Sequence, residues 1–172
     1  MEGVDTPSLA IIGAGRAGSA LAIAAHDAGY RVAAVASRRG EMAARLADTV
    51  GARAVATPPE AAALADLTLL AVPDGAISTV AASIAASGIS LHGAGVVHLG
   101  ARFGPELIAS LRVTGAEVGV LHPLQALAGP DSASLLEGAF FRVDATGLLL
   151  DMAERETASA TGRPMLNLGD LA

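Results

Sequence analysis

Short apolar runs alternate along this chain with segments whose apolar residues recur every three or four positions. The first run, 9–12, ends abruptly at Gly13, which is typical of a buried strand that enters a tight turn. The segment that follows has the spacing of an amphipathic helix and reaches Gly29, a residue type that commonly ends helices. The opening of the sequence therefore predicts a strand, a glycine turn and a helix.

The same alternation continues along the rest of the sequence. Further strands are predicted at 31–37, 52–55, 67–72, 96–99, 118–121, 139–143 and 164–168. Helices are predicted at 40–50, 58–64, 105–112 and 147–160, with another around Ile77 and Ile84 and a loop at 129–134. Because the strands are apolar throughout and alternate with helices, we expect an α/β fold, with a doubly wound, mostly parallel sheet and helices on both faces.

Composition limits the chemistry that this fold can carry. The chain has 172 residues, 52% of them hydrophobic, which suits one core and a single domain over 1–172. There is no cysteine, so disulfides, thiolate nucleophiles and cysteine-bound metals are excluded. Every basic residue is an arginine, which excludes lysine-based catalysis, and four scattered histidines do not predict a metal site.

The net charge and the absence of targeting signals limit the possible binding partners and the cellular compartment. The net charge of −6 argues against a nucleic-acid binder, which normally has a basic face. The acidic start of the sequence lacks the basic region of a signal peptide, and the apolar stretch at 61–73 is too short to span a bilayer. We therefore expect a cytoplasmic protein that binds neither nucleic acid nor membranes.

The strongest chemical motif is the loop Gly13-Ala14-Gly15-Arg16-Ala17-Gly18, which fits G-x-G-x-x-G between a predicted strand and a predicted helix. Gly13 would permit the sharp turn, Gly15 would let a diphosphate approach the backbone, and Gly18 would let the helix pack closely on the sheet. The amides of the helix N-terminus would then bind the phosphates. The alternative is a tight turn without a ligand.

The end of the second strand distinguishes between dinucleotides. NAD-type sites have an acidic residue about 20 residues beyond the glycine loop, where it binds the ribose 2′-hydroxyl. Here Ser37-Arg38-Arg39 occupies that place, and no carboxylate occurs between Gly29 and Gly40. Arginine binds phosphate by charge-assisted, bidentate hydrogen bonds, which favours NADP over NAD and FAD. The alternatives are that Arg38 and Arg39 are ordinary solvated charges, or that the site takes another adenosine ligand such as S-adenosylmethionine.

Three later strand ends carry further candidate residues. Val72-Pro73 could press against the adenosine or the nicotinamide ribose. His98 and His122 follow two other strands, and histidine can donate a proton near neutral pH, so both are candidate catalytic residues. The alternative for both histidines is a structural one, in which they close hydrogen bonds between loops.

Five segments together resemble a known family. They are GAGRAG, SRR, LLAVPD, VVH and LHPLQ, in this order, between about residues 9 and 164. This set resembles the Rossmann-like proteins paired with a DUF2520 domain, NADP-dependent oxidoreductases related to pyrroline-5-carboxylate reductase and 6-phosphogluconate dehydrogenase. LHPLQ is the most discriminating segment, since GxGxxG is widely shared. The resemblance implies a Rossmann-type fold.

The resemblance also implies roles for individual residues. It implies that the diphosphate contacts Gly13, Gly15, Arg16 and Gly18, and that the 2′-phosphate contacts Ser37 and Arg38. It implies that Val72 and Pro73 flank the cofactor. It places His98 and His122 beside the nicotinamide and the substrate. This chain departs from the family after His98, where Leu99-Gly100-Ala101 replaces a hydroxyl residue followed by glycine.

A helical C-terminal domain normally completes the cleft and the dimer in that family, whereas this chain ends at Ala172. We expect the cofactor-binding part of an oxidoreductase, which acts as a homodimer or with a helical domain. It would transfer hydride between NADP(H) and a small carbonyl or imine compound. The alternative is a non-catalytic module that binds or senses NADP(H) for a partner chain.

Overall fold

The computed structural model describes residues 6–145 and 166–167. Eight strands lie at β1 Leu9–Ile12, β2 Val32–Ala36, β3 Arg53–Val55, β4 Leu67–Leu70, β5 Gly95–His98, β6 Glu117–Pro123, β7 Phe141–Asp144 and β8 Leu166–Asn167. Four α-helices lie at α1 Arg16–Asp27, α2 Gly40–Val50, α3 Pro58–Ala62 and α4 Asp74–Ala86. Two 3-10 helices, Pro105–Thr114 and Pro130–Leu136, complete the described elements.

All eight strands form one sheet in the order β3-β2-β1-β4-β5-β6-β7-β8. Strands β1 to β6 pair in parallel, β7 runs antiparallel to β6, and β8 is parallel to β7. The predicted doubly wound, mostly parallel sheet is therefore confirmed. The order reverses direction between β1 and β4, which is the switch point where ligands of such folds bind, beyond the carboxyl ends of the strands.

Two apolar layers cover the sheet, one on each face. On one face, α1 and α2 pack through small and medium side chains such as Leu21, Ala43 and Leu46. On the other face, α3, α4 and the first 3-10 helix contribute residues such as Ile77 and Leu111. Alanines in the strands and helices let the layers approach closely, because their side chains are small. This close packing removes apolar surface from water without requiring large side chains.

The structure corrects two details of the predicted elements. Residues 105–112 form a 3-10 helix instead of an α-helix, and a kink at Ile108, whose φ is −117°, separates two short helical turns. The segment predicted as a loop at 129–134 largely belongs to the second 3-10 helix, which buries Leu136 against α1. The helix predicted at 147–160 lies outside the described residues.

No helix in the described part of the chain is both long and apolar enough to cross a membrane.

We expect Ile11→Ala to lower the free energy of unfolding by about 2–5 kcal/mol, because Ile11 is fully buried in the central strand and the truncation leaves a cavity. Val113→Ala is the control. Val113 is 80% exposed, so its truncation is expected to change stability by less than about 0.5 kcal/mol. Urea unfolding of both variants measures the difference, and equal effects would contradict the described core.

Candidate functional site

The turn between β1 and α1 is possible only with glycine at two positions. Gly13 has a φ of +111°, and an added Cβ would collide with the carbonyl oxygen of Ala71, just beyond β4. A Cβ on Gly18 would collide with the carbonyl oxygen of Gly13. The Gly13 amide donates to Ala36 at 2.8 Å, which ties the turn to β2. The first and third glycines of the motif therefore have the packing roles predicted for them.

The middle glycine has a different environment. Gly15 is the N-cap of α1, its φ of −85° suits any residue, and no protein atom lies within 4 Å of an added Cβ. Gly15 has no side chain with which to cap the amides of the first turn, and that turn contains no acidic residue. Within the described part of the chain, the helix thus presents uncapped N–H groups beside an exposed glycine, an arrangement that favours an anionic group.

A cleft of about 510 Å³ opens at this end of the sheet. Its volume is typical of small-molecule and cofactor sites. Its lining includes eight of the predicted cofactor residues: Gly13, Ala14, Gly15, Ser37, Arg38, Arg39, Val72 and Pro73. The other three, Arg16, Ala17 and Gly18, belong to the first turn of α1 and are not part of the lining.

Two arginines form one side of the cleft. Arg38 and Arg39 follow β2, are exposed, and form no salt bridge with any residue that the structure describes. Arg39 is the N-cap of α2, and its carbonyl oxygen accepts hydrogen bonds from Met42 and Ala43. The described lining contains no carboxylate. This part of the cleft therefore suits an anion, whereas Ala56, Pro58 and Val80 provide an apolar part.

His98, the last residue of β5, is fully buried and has partners on both ring nitrogens. Nδ1 accepts from the Gly100 amide at 3.1 Å, and Nε2 lies 3.0 Å from the Gly104 carbonyl oxygen, to which it donates. Burial lowers the pKa of His98, although the Gly104 carbonyl opposes this. The geometry favours the structural alternative for His98, since both ring nitrogens are engaged with backbone groups of the loop that follows.

His122 lies near the end of β6 and is half-buried. Its Nδ1 lies 2.6 Å from the carbonyl oxygen of Leu99, so this nitrogen carries the proton. No described residue hydrogen-bonds to Nε2, which leaves one nitrogen of this ring able to exchange a proton. His122 does not line the cleft described above. Both strands that carry the two histidines end at the same edge of the sheet as the glycine loop.

The sequence analysis missed two residues that surround the histidines. Arg142 pairs with His122 across the β6–β7 ladder and donates to the carbonyl oxygens of Ala101 and Phe103, at 2.9 and 3.2 Å. The exposed Glu106 accepts from the Gly104 amide at 3.0 Å, and its own backbone amide and that of Gly104 lower its pKa. No motif marks these residues, because their positions depend on strand register and loop shape.

The described residues contain no group of three or more histidine, aspartate or glutamate side chains arranged to hold a metal ion.

Comparison with known proteins agrees with this architecture. The model of the Rossmann-like domain family matches residues 4–123, so the chain belongs to the Rossmann-like domain family. Comparison with curated protein sequences gives no significant match.

Several solved structures share the fold. A candidate NADP oxidoreductase from Bacteroides fragilis has a TM-score of 0.77 and 23% identity, over 94% of this chain and 59% of its own. A reductive aminase from Aspergillus terreus, in complex with NADPH and ethyl-5-oxohexanoate, has a TM-score of 0.72 and 23% identity, over 94% and 55%. A pyrroline-5-carboxylate reductase from Coxiella burnetii has a TM-score of 0.76 and 16% identity, over 95% and 60%. The chain thus spans somewhat more than half of the length of each of these three.

We expect the free energy of unfolding to fall as the pH drops below about 6.5, because His98 has a lowered pKa in the folded protein and its ordinary value of 6.5 when unfolded. Below pH 6.5 the unfolded chain binds a proton at His98 that the folded chain does not bind. The contribution of neutral His98 to the free energy of unfolding is therefore present above pH 6.5 and is lost below it. The slope approaches ~1.4 kcal/mol per pH unit for one proton.

Urea unfolding between pH 7.5 and pH 5.5 measures this slope in the wild type and in His98→Asn. The variant is expected to have the flatter profile. His26→Asn removes an exposed histidine and serves as the control, with the wild-type slope expected. Identical slopes in wild type and His98→Asn would contradict the neutral, buried state of His98.

Proposed function

We propose that this protein binds NADP(H) and forms the cofactor-binding part of an oxidoreductase that reduces a small carbonyl or imine compound. The observation that carries the proposal is a single cleft that combines the glycine loop with two arginines that form no salt bridge with a described residue, and with no described carboxylate in its lining. A diphosphate and a second phosphoryl group are the two anions that such a cleft would accept together.

The residues of the cleft fit the parts of this cofactor. The exposed backbone at Gly15 and the first-turn amides of α1 would bind the diphosphate. Ser37, Arg38 and Arg39 would bind the 2′-phosphate, through a hydroxyl and two guanidinium groups. Val72 and Pro73, at the switch point between β1 and β4, would flank the sugar on the nicotinamide side.

The substrate would lie farther along the same edge of the sheet. When bound, the reduced nicotinamide supplies a hydride to the carbon of a carbonyl or imine. Nε2 of His122 would first take up a proton from solvent and then deliver it to the oxygen or nitrogen of the substrate, while the Nδ1 proton stays hydrogen-bonded to the carbonyl oxygen of Leu99. The β6 strand lies two strands from β4, about 10 Å away, so His122 lies beyond the diphosphate.

The neighbours in fold support this choice of reaction. A reductive aminase contains NADPH, and imine reductases from Pseudomonas and Myxococcus stipitatus share the fold at 20% and 23% identity, the latter in complex with NAD⁺. The proposed preference of this protein for NADP over NAD rests on its own Arg38 and Arg39. A second copy of the chain or a helical domain would complete the substrate side, as the partner in this proposal.

We expect Arg38→Gln to weaken NADPH binding about 10- to 100-fold, because a hydrogen bond to a charged group contributes about 1.5–3 kcal/mol. NADH lacks the 2′-phosphate, so its affinity is expected to change less than about threefold. Isothermal titration of wild type and variant with both dinucleotides measures the two effects.

The control is Arg45→Gln, which removes an exposed arginine of α2 outside the cleft. Its NADPH affinity is expected to match the wild type. Equal losses for NADPH and NADH in Arg38→Gln would remove the 2′-phosphate role, and a wild-type protein that binds neither dinucleotide would refute the proposed function.

We expect Gly15→Ala to weaken binding of both dinucleotides about tenfold or more while leaving stability within about 0.5 kcal/mol, since the added methyl meets only the cleft. Gly13→Ala is the matched comparison. It is expected to lower stability clearly, because its methyl meets the Ala71 carbonyl and its φ is positive. Unchanged titration curves for Gly15→Ala would place the diphosphate elsewhere.

A further inference from the structure

Side chains make most of the hydrogen bonds that hold the loop at 99–104, between β5 and the first 3-10 helix. His98 binds it at both ends, through the Gly100 amide and the Gly104 carbonyl oxygen. Arg142 binds its middle, through two carbonyl oxygens, and Asp144 lies 3.4 Å from the guanidinium. This loop also supplies the carbonyl oxygen that accepts from His122.

The partners of His98 define its tautomer. A backbone amide can only donate, so Nδ1 facing Gly100 has no proton, and a carbonyl oxygen can only accept, so Nε2 facing Gly104 carries one. The space around this arrangement is tight. A Cβ on Gly100 would lie 3.1 Å from Nδ1 of His98 and 3.0 Å from the side chain of Ile77. His98 is therefore held neutral and in one orientation.

The two histidines meet through a single peptide group. The Gly100 N–H that donates to His98 and the Leu99 C=O that accepts from His122 belong to the same planar amide. The hydrogen bonds thus form one chain, from Nδ1 of His98, through the peptide group, to Nδ1 of His122. A donor bond at the amide nitrogen polarises the carbonyl, and serial bonds of this kind strengthen one another.

We propose that His98 is a positioning residue. It orients the Leu99–Gly100 peptide so that the Leu99 carbonyl oxygen accepts a hydrogen bond from the Nδ1 proton of His122. Nε2 of His122 then remains available for the proton that passes to the substrate. This inference rests on the proposed function for its catalytic meaning. The tautomer relation between the two histidines stands on the hydrogen bonds alone.

The test is the tautomeric state of both rings, measured by long-range ¹H–¹⁵N spectra of the full chain with ¹⁵N-labelled histidine. The measurement is made near pH 8, about 1.5 units above the ordinary pKa of a histidine side chain. The wild type is expected to show a protonated Nδ1 on His122 and a protonated Nε2 on His98. His122→Gln and His98→Asn identify the signals by their loss.

Substitution of His98 tests the coupling. In His98→Leu, the two nitrogen signals of His122 are expected to move toward each other, because the tautomer is no longer held. In His98→Asn the side-chain oxygen can accept from the Gly100 amide in place of Nδ1, so the His122 signals are expected to stay near the wild-type positions. His26→Leu, at an exposed site, is the control and is expected to leave them unchanged.

Two results would overturn the inference. One is a wild-type spectrum in which His98 carries its proton on Nδ1 or His122 carries its proton on Nε2, an observation that needs no variant to fold. The other is a folded His98→Leu protein with the His122 signals of the wild type. An NADPH titration of the wild type separates the two proposals, because absence of binding would refute the proposed function and leave the measured tautomers as they are.

Discussion

The structure depends on a close approach between two backbone segments at the switch point of the sheet. The turn after β1 passes against the carbonyl group of Ala71, and the start of α1 packs on the same turn. Only glycine fits at positions 13 and 18, where an added Cβ would collide with backbone carbonyl oxygens, and Gly13 also has a positive φ. Gly15, the N-cap of α1, lines the same cleft as the residues that follow β2.

Parallel pairing then gathers the remaining candidate residues at one edge. Strands β1, β2, β4, β5 and β6 run in the same direction, so the residues that follow them meet beyond their carboxyl ends. The glycine loop, the arginines at 38 and 39, Val72-Pro73, His98 and His122 all follow or end these strands. This common edge is the physical reason why residues far apart in sequence can serve one elongated ligand.

Within that edge, the two histidines differ sharply in environment. His98 is buried, and both of its ring nitrogens have hydrogen-bond partners in the adjacent loop. Nδ1 of His122 has a partner, whereas its Nε2 has none among the described residues. The antiparallel strand β7 contributes to this difference, because it brings Arg142 opposite His122 and against the loop at 99–104. A fold that ended at β6 would leave that loop without the arginine.

The sequence by itself determined the strands of the parallel sheet and most of the residues that line the cleft. Continuous apolar strands predicted a parallel sheet, and the glycine and arginine motifs predicted residues of which Gly13, Ala14, Gly15 and 37–39 line the cleft, since both signals depend on local spacing. Tertiary structure alone decided the hydrogen-bond partners of His98 and His122, the 3-10 form of two helices and the contacts of Arg142. Those depend on burial, loop shape and the register of β6 with β7, which arise from contacts between residues distant in the chain and leave no local pattern.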